Sequence, residues 1–133
     1  MGKIGALAAL AAALAVLGAG AALAAVTNVG TTVSLRLDPF EAGGGAFEGR
    51  LEARKDVRCS QGRRVDLFRD GAKVGSTKTE KYPDFSISLT SVPPGSYVAK
   101  VKKMRLPASL QAKPGAKNAI YCKAASSKPV VVP

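Results

Sequence analysis

The chain has 133 residues, 47% hydrophobic but only 5% aromatic, and sets 20 Lys and Arg against 9 Asp and Glu with no His at all. A net charge of +11 at pH 7 biases the protein toward anionic partners, while the missing His removes the usual Ser–His and Cys–His nucleophile pairs. The length suits one domain around one core.

The first segment, "MGKIGALAALAAALAVLGAGAALAA", carries a single charge at Lys3 and then a run rich in Ala and Leu. This is the layout of a secretory signal peptide over residues 1–25, with an A-x-A site at Ala22, Leu23 and Ala24 and a mature N-terminus at Ala25 or Val26. The run is also long enough to serve as an uncleaved membrane anchor, but its alanine content and cleavage pattern favour removal. Ala6 stands where myristoylation needs Ser or Thr, and no cysteine follows Ala24 to take a lipid. Removal of Lys3 with this segment lowers the net charge only from +11 to +10.

From Val26 onward the pattern has period two, the mark of half-buried strands. "TTVSLRLDP" alternates Val33, Leu35 and Leu37 with polar residues, and "AFEGRLEAR" repeats the pattern with Phe47, Gly49, Leu51 and Ala53. "RRVDLFRDG" places Val65 and Leu67 on one face before a turn at Asp70-Gly71, and "KVGSTKTE" reads as a short polar strand near an edge. "DFSISL" turns Phe85, Ile87 and Leu89 inward, and "SYVAKVKK" does the same with Tyr97, Ala99 and Val101. "AIYCKA" and "KPVVVP" close the series. With breakers at "EAGGGA" and Pro93-Pro94-Gly95, the expected fold is all-β, a two-sheet antiparallel Greek-key sandwich of about seven strands over 26–133. Residues 104–118, with Pro107 and Pro114, form the longest irregular segment and a candidate contact loop.

Cys59 and Cys122 are the only cysteines. An even count in a short exported chain predicts a disulfide, which would contribute about 2 to 4 kcal/mol by restricting the unfolded chain. Two free buried thiols are the other reading. With no His and 63 positions between the thiols, no common zinc pattern can be assembled, so no metal or other cofactor is expected.

The stretch "DGAKVGSTKTEKYPDFSISLTSVPPGSYVAKVKK" resembles the carboxypeptidase regulatory-like and transthyretin-like (prealbumin-like) β-sandwiches, with Thr79, Glu80, Phe85, Pro94, Gly95 and Tyr97 in the family pattern. Asp84 departs from it, standing where the family has a turn glycine before the Phe. "CSQGRRVDLF" and "YCKAASS" extend the likeness to small exported bacterial domains with two cysteines. The resemblance implies a fold and leaves function open, because this sandwich is an appendage in many unrelated proteins.

Chemistry has few candidates. Asp38, Glu48, Glu52, Asp56 and Asp66 fall on outward positions or turns, no serine has a lysine three residues on, and "AGGGA" lacks the Lys of a phosphate loop. The expectation is therefore an exported, non-catalytic structural or binding module at the cell envelope or outside the cell. The basic residues gather in the second half, at Arg63, Arg64, Lys100, Lys102, Lys103, Arg105, Lys113, Lys117, Lys123 and Lys128. Lys100, Lys102, Lys103, Arg105, Lys113 and Lys117 are the candidate anion-binding set, for an anionic envelope polymer or similar surface. A surface-protein partner or adhesion through residues 104–118 is the alternative. Nucleic acid is disfavoured, because no aromatic platform is interleaved with the cations.

Overall fold

The computed structural model describes residues 26–106 and 119–133. Residues 1–25, read above as a signal peptide, and residues 107–118 of the expected contact loop, with Lys113 and Lys117, lie outside the described residues. Eleven strands follow in chain order: β1 (Val26–Val29), β2 (Thr32–Pro39), β3 (Gly45–Glu52), β4 (Arg64–Arg69), β5 (Ala72–Lys78), β6 (Asp84–Leu89), β7 (Gly95–Val101), β8 (Met104–Arg105), β9 (Ala119–Cys122), β10 (Ala125–Ser126) and β11 (Val130–Val132). One turn of 3-10 helix, Val57–Ser60, interrupts them, and no α-helix occurs among the described residues.

The fold is all-β. One sheet runs β2-β3-β6; the other runs β10-β7-β4-β5, with β11 also on β7. The hairpins β2-β3 and β4-β5 belong to different sheets, and β6 and β7 return to lie beside β3 and β4, the alternation of a Greek key. The β4-β5 hairpin closes through Asp70 and Gly71, whose φ values of 48° and 86° are those of the turn that matches strand twist.

Between the two sheets the alternating residues meet. Leu51, Val65, Phe85, Ala99 and Val101 form one buried cluster, and Phe47, Leu67, Ile87 and Tyr97 form the next. Val33, Leu35 and Leu89, expected inside, are half-buried and pack on the margins of these clusters, because β2 and β6 are the outer strands of their sheet. Phe47 and Tyr97 stack with ring centroids 4.5 Å apart. The Tyr97 hydroxyl donates to the Pro93 carbonyl at 2.6 Å, so the Pro-Pro-Gly corner supplies the partner that a buried phenol requires.

A third, small sheet, β1-β9-β8, goes beyond the two sheets expected, and β1 runs parallel to β9 within it. It caps one end of the sandwich. Val29, Ala53, Cys59, Leu106 and Cys122 make a separate buried cluster there. The sulfurs of Cys59 and Cys122 are bonded at 2.00 Å with Cα atoms 5.3 Å apart. The staple joins the 3-10 turn to β9 and holds this end closed, rather than tying the two large sheets together.

Candidate functional site

In an antiparallel ladder, residues directly opposite each other project from the same side. Val65 and Leu67 of β4 are buried, so Arg64, Asp66 and Phe68 face outward. Opposite them on β5 stand Lys78, Ser76 and Lys73, and opposite Asp66 and Phe68 on β7 stand Lys100 and Val98. Lys102, just past the end of β7, lines a concavity together with Arg64. The outer face of this sheet therefore carries the pair Arg64–Lys78, with Lys102 near Arg64, next to a row Lys100–Asp66–Ser76.

Asp66 organises that face. Only 7% of it is exposed, and its Oδ1 accepts from Arg64 Nε at 3.0 Å, Ser76 Oγ at 3.0 Å and Lys73 Nζ at 3.2 Å. Burial acts to raise its pKa, but the hydrogen bonds from Arg64, Ser76 and Lys73, with the Lys73 charge, outweigh burial and hold the carboxyl below the ordinary aspartate value. Sequence alternation places Asp66 on the outer face correctly, yet these long side chains cover it. It is an anchor rather than a solvated carboxylate.

Two concavities flank Asp66. One, of about 530 Å³, is walled by Phe68, Lys100 and the small residues Ala124–Ser126; the other, of about 480 Å³, by Gly62, Arg64, Lys73 and Met104; both include Asp66, Lys102 and Lys103. The Lys100 ammonium lies 5.2 Å from the Phe68 ring centroid, and that of Lys103 lies 4.6 Å from the Tyr121 centroid, both within cation–π range.

The structure thus brings Lys100, Lys102 and Lys103 together. Arg105 is exposed on β8, paired with Tyr121, and lines neither concavity. Arg63 leaves the basic surface altogether, with 1% exposure. Its Nη1 donates to the Cys59 carbonyl at 2.8 Å, and its Nη2 to the carbonyls of Lys102 at 2.8 Å and Lys123 at 3.1 Å. Burial lowers its pKa from the usual arginine value. This guanidinium ties the 3-10 turn, the end of β7 and the residue after β9 into one joint. Lys73, Ser76 and Lys78 are members of the face that the linear pattern does not single out, since only the β4-β5 register places them beside Arg64 and Asp66.

The outer face of the β2-β3-β6 sheet has a different character. Arg36 pairs with Glu48 at 2.9 Å and Arg50 with Glu52 at 3.6 Å, and a dent of about 640 Å³ lies over Gly49. Among the described residues no cluster of three or more His, Cys, Asp or Glu could hold a metal ion, and no helix is long and apolar enough to cross a membrane. No protein-family model, curated protein or solved structure matches the chain.

Proposed function

We propose that the protein is an exported, non-catalytic binding module of the cell envelope or extracellular space, and that the outer face of its five-stranded sheet holds an anionic partner. The observation that carries this reading is the crowding of Arg64, Lys73, Lys78, Lys100, Lys102 and Lys103 on one sheet surface around a single carboxylate, Asp66. Export is supported by the A-x-A segment before Val26 and by the Cys59–Cys122 bond, of a kind that persists in oxidising compartments. The resemblance to carboxypeptidase regulatory-like and transthyretin-like domains fits the same role, a sandwich without chemistry of its own.

Cosedimentation of the protein with anionic envelope polymer at low salt tests the reading. Binding should fall steeply as salt rises, because exposed charges are screened beyond about 8 Å at physiological ionic strength. The double variant Lys100→Glu/Lys102→Glu should lose binding, whereas Arg36→Glu/Arg50→Glu, with the same change in net charge, should keep most of it. Equal loss from both pairs would reduce the effect to net charge alone.

A further inference from the structure

We infer that the partner is a linear polyanion lying across the strands of the five-stranded sheet, and that Arg64, positioned by Asp66 and Ser76, grips its oxyanions through both Nη groups. This rests on the basic-face reading above and adds the ligand's form and the residue that reads it.

The guanidinium of Arg64 is prepared for such a contact. Its Nε is engaged by Asp66 Oδ1 at 3.0 Å and Ser76 Oγ at 3.1 Å, while neither Nη has a partner among the described residues and the side chain is 65% exposed. A fork fixed along one edge and open along the other suits bidentate contact with phosphate, sulfate or carboxylate. Asp66 is the positioning residue, because its Oδ1 also holds Lys73 Nζ and so keeps two cations in fixed relation.

The like-charge pair has a direction. Arg64 is directly opposite Lys78, an arrangement that weakens a ladder. At a strand spacing of about 4.8 Å, Lys78 and Arg64 step across the sheet toward Lys102, which lines a concavity with Arg64. The two concavities share Asp66, Lys102 and Lys103, so they adjoin across these residues, one reaching Ala125 and Ser126 of β10 and the other Lys73 of β5. A chain with recurring oxyanions can reach both adjoining hollows and Lys78 beyond them; a flat lipid surface cannot enter the hollows.

The surrounding side chains narrow the choice further. Membrane-surface binding combines charge with buried apolar area, yet the exposed large apolar residues Val26, Phe40, Val57, Val74, Tyr82 and Val131 line neither concavity. Phe68, the aromatic residue lining the hollows, lies beneath the Lys100 ammonium, so the hollows present no row of open rings for stacking bases. This face recognises a polymer through its anions.

Three probes separate these outcomes: long-chain polyphosphate, polygalacturonate, and vesicles of phosphatidylglycerol with phosphatidylcholine, each titrated against the full chain and its variants. Arg64→Lys keeps the charge and removes the fork, and it should weaken binding to both polymers roughly tenfold or more while leaving the salt dependence nearly unchanged. Asp66→Asn, which also releases Lys73, should weaken binding in the wild-type background and cost less on top of Arg64→Lys than alone, because part of its effect passes through the same fork. If Arg64→Lys binds the polymers like wild type while Lys100→Glu/Lys102→Glu loses them, the fork is refuted and the basic-face reading stands. Vesicle binding stronger than polymer binding would replace the polymer with a lipid surface. Failure to bind any of the three would remove both readings.

Discussion

On the β2-β3-β6 sheet, Arg36 stands directly opposite Glu48 and Arg50 directly opposite Asp84, so cation meets anion across each ladder. On the five-stranded sheet, Arg64 stands opposite Lys78, and the one nearby carboxylate, Asp66, lies between Ser76 and Lys100. Both faces belong to the same antiparallel architecture and both are polar, so fold and composition do not distinguish them. The register does: it neutralises one face and concentrates positive charge on the other. What lies beneath them differs too. Gly49 of the β2-β3-β6 sheet has room for no side chain, since a Cβ there would sit 2.0 Å from the Ser34 carbonyl oxygen and 2.5 Å from Phe85 Cζ. Under the end of the basic face lies a buried cation instead, Arg63.

Tyr97→Ala should have the largest effect and should not distinguish the faces. The side chain is fully buried and stacks on Phe47 of the opposite sheet, so its removal should cost about 3 to 5 kcal/mol in urea unfolding, with anion binding per folded molecule preserved. Selective loss of binding at unchanged stability would mean that the two sheets are not supported by a common core.

Arg63→Met comes next and should act on one side only. Methionine preserves most of the volume but leaves the Cys59, Lys102 and Lys123 carbonyls without their donor, which should cost on the order of 2 to 3 kcal/mol. Amide exchange should quicken around Lys102 and Lys123 and stay unchanged on β2 and β3. Uniform quickening would show that Arg63 supports the whole sandwich rather than the basic end.

The smallest effects sharpen the contrast between the faces themselves. Asp66→Asn should cost about 1 kcal/mol near neutral pH, whereas Arg36→Ala, which breaks a solvent-exposed pair, should cost between about 0 and 1 kcal/mol. Asp66 and Asp56 both have pKa values depressed below the ordinary 3.8, the latter chiefly through its hydrogen bond from Arg58. A depressed carboxyl contributes stability that is complete above about pH 4 and is lost as pH falls through the folded-state value. Melting temperature followed downward from about pH 5 should therefore drop less steeply in Asp66→Asn than in wild type. An identical acid limb in the two proteins would show that Asp66 is not held ionised by its neighbours.

Several of these features were legible in the linear chain. Alternation at Val65, Leu67, Phe85, Ile87, Tyr97, Ala99 and Val101 marks an inner face that the structure buries or nearly buries throughout, because a strand's side chains must alternate. Asp70-Gly71 marks its own turn for an equally local reason, the backbone angles that only a few residues adopt readily. Lys100 and Lys102 share the outer face for the same cause. Arg63 was not legible: it adjoins Arg64 in a basic, polar stretch and has no local signal of burial, and only the arrival of the Lys102 and Lys123 carbonyls from distant segments, beside the local Cys59 carbonyl, makes its interior position tolerable.

The sequence alone determined the strand periodicity, the inward residues, the tight turns, the excess of positive charge and the presence of a single cysteine pair, since each depends on neighbours a few positions apart. Tertiary structure alone decided that β1 lies parallel to β9, that the disulfide caps an end, that Arg63 is interior, and that Lys78, Arg64 and Lys102 gather beside a covered Asp66. Those outcomes depend on register between strands that are remote in the chain. The period of a strand specifies which side a residue faces, but only pairing specifies what stands beside it.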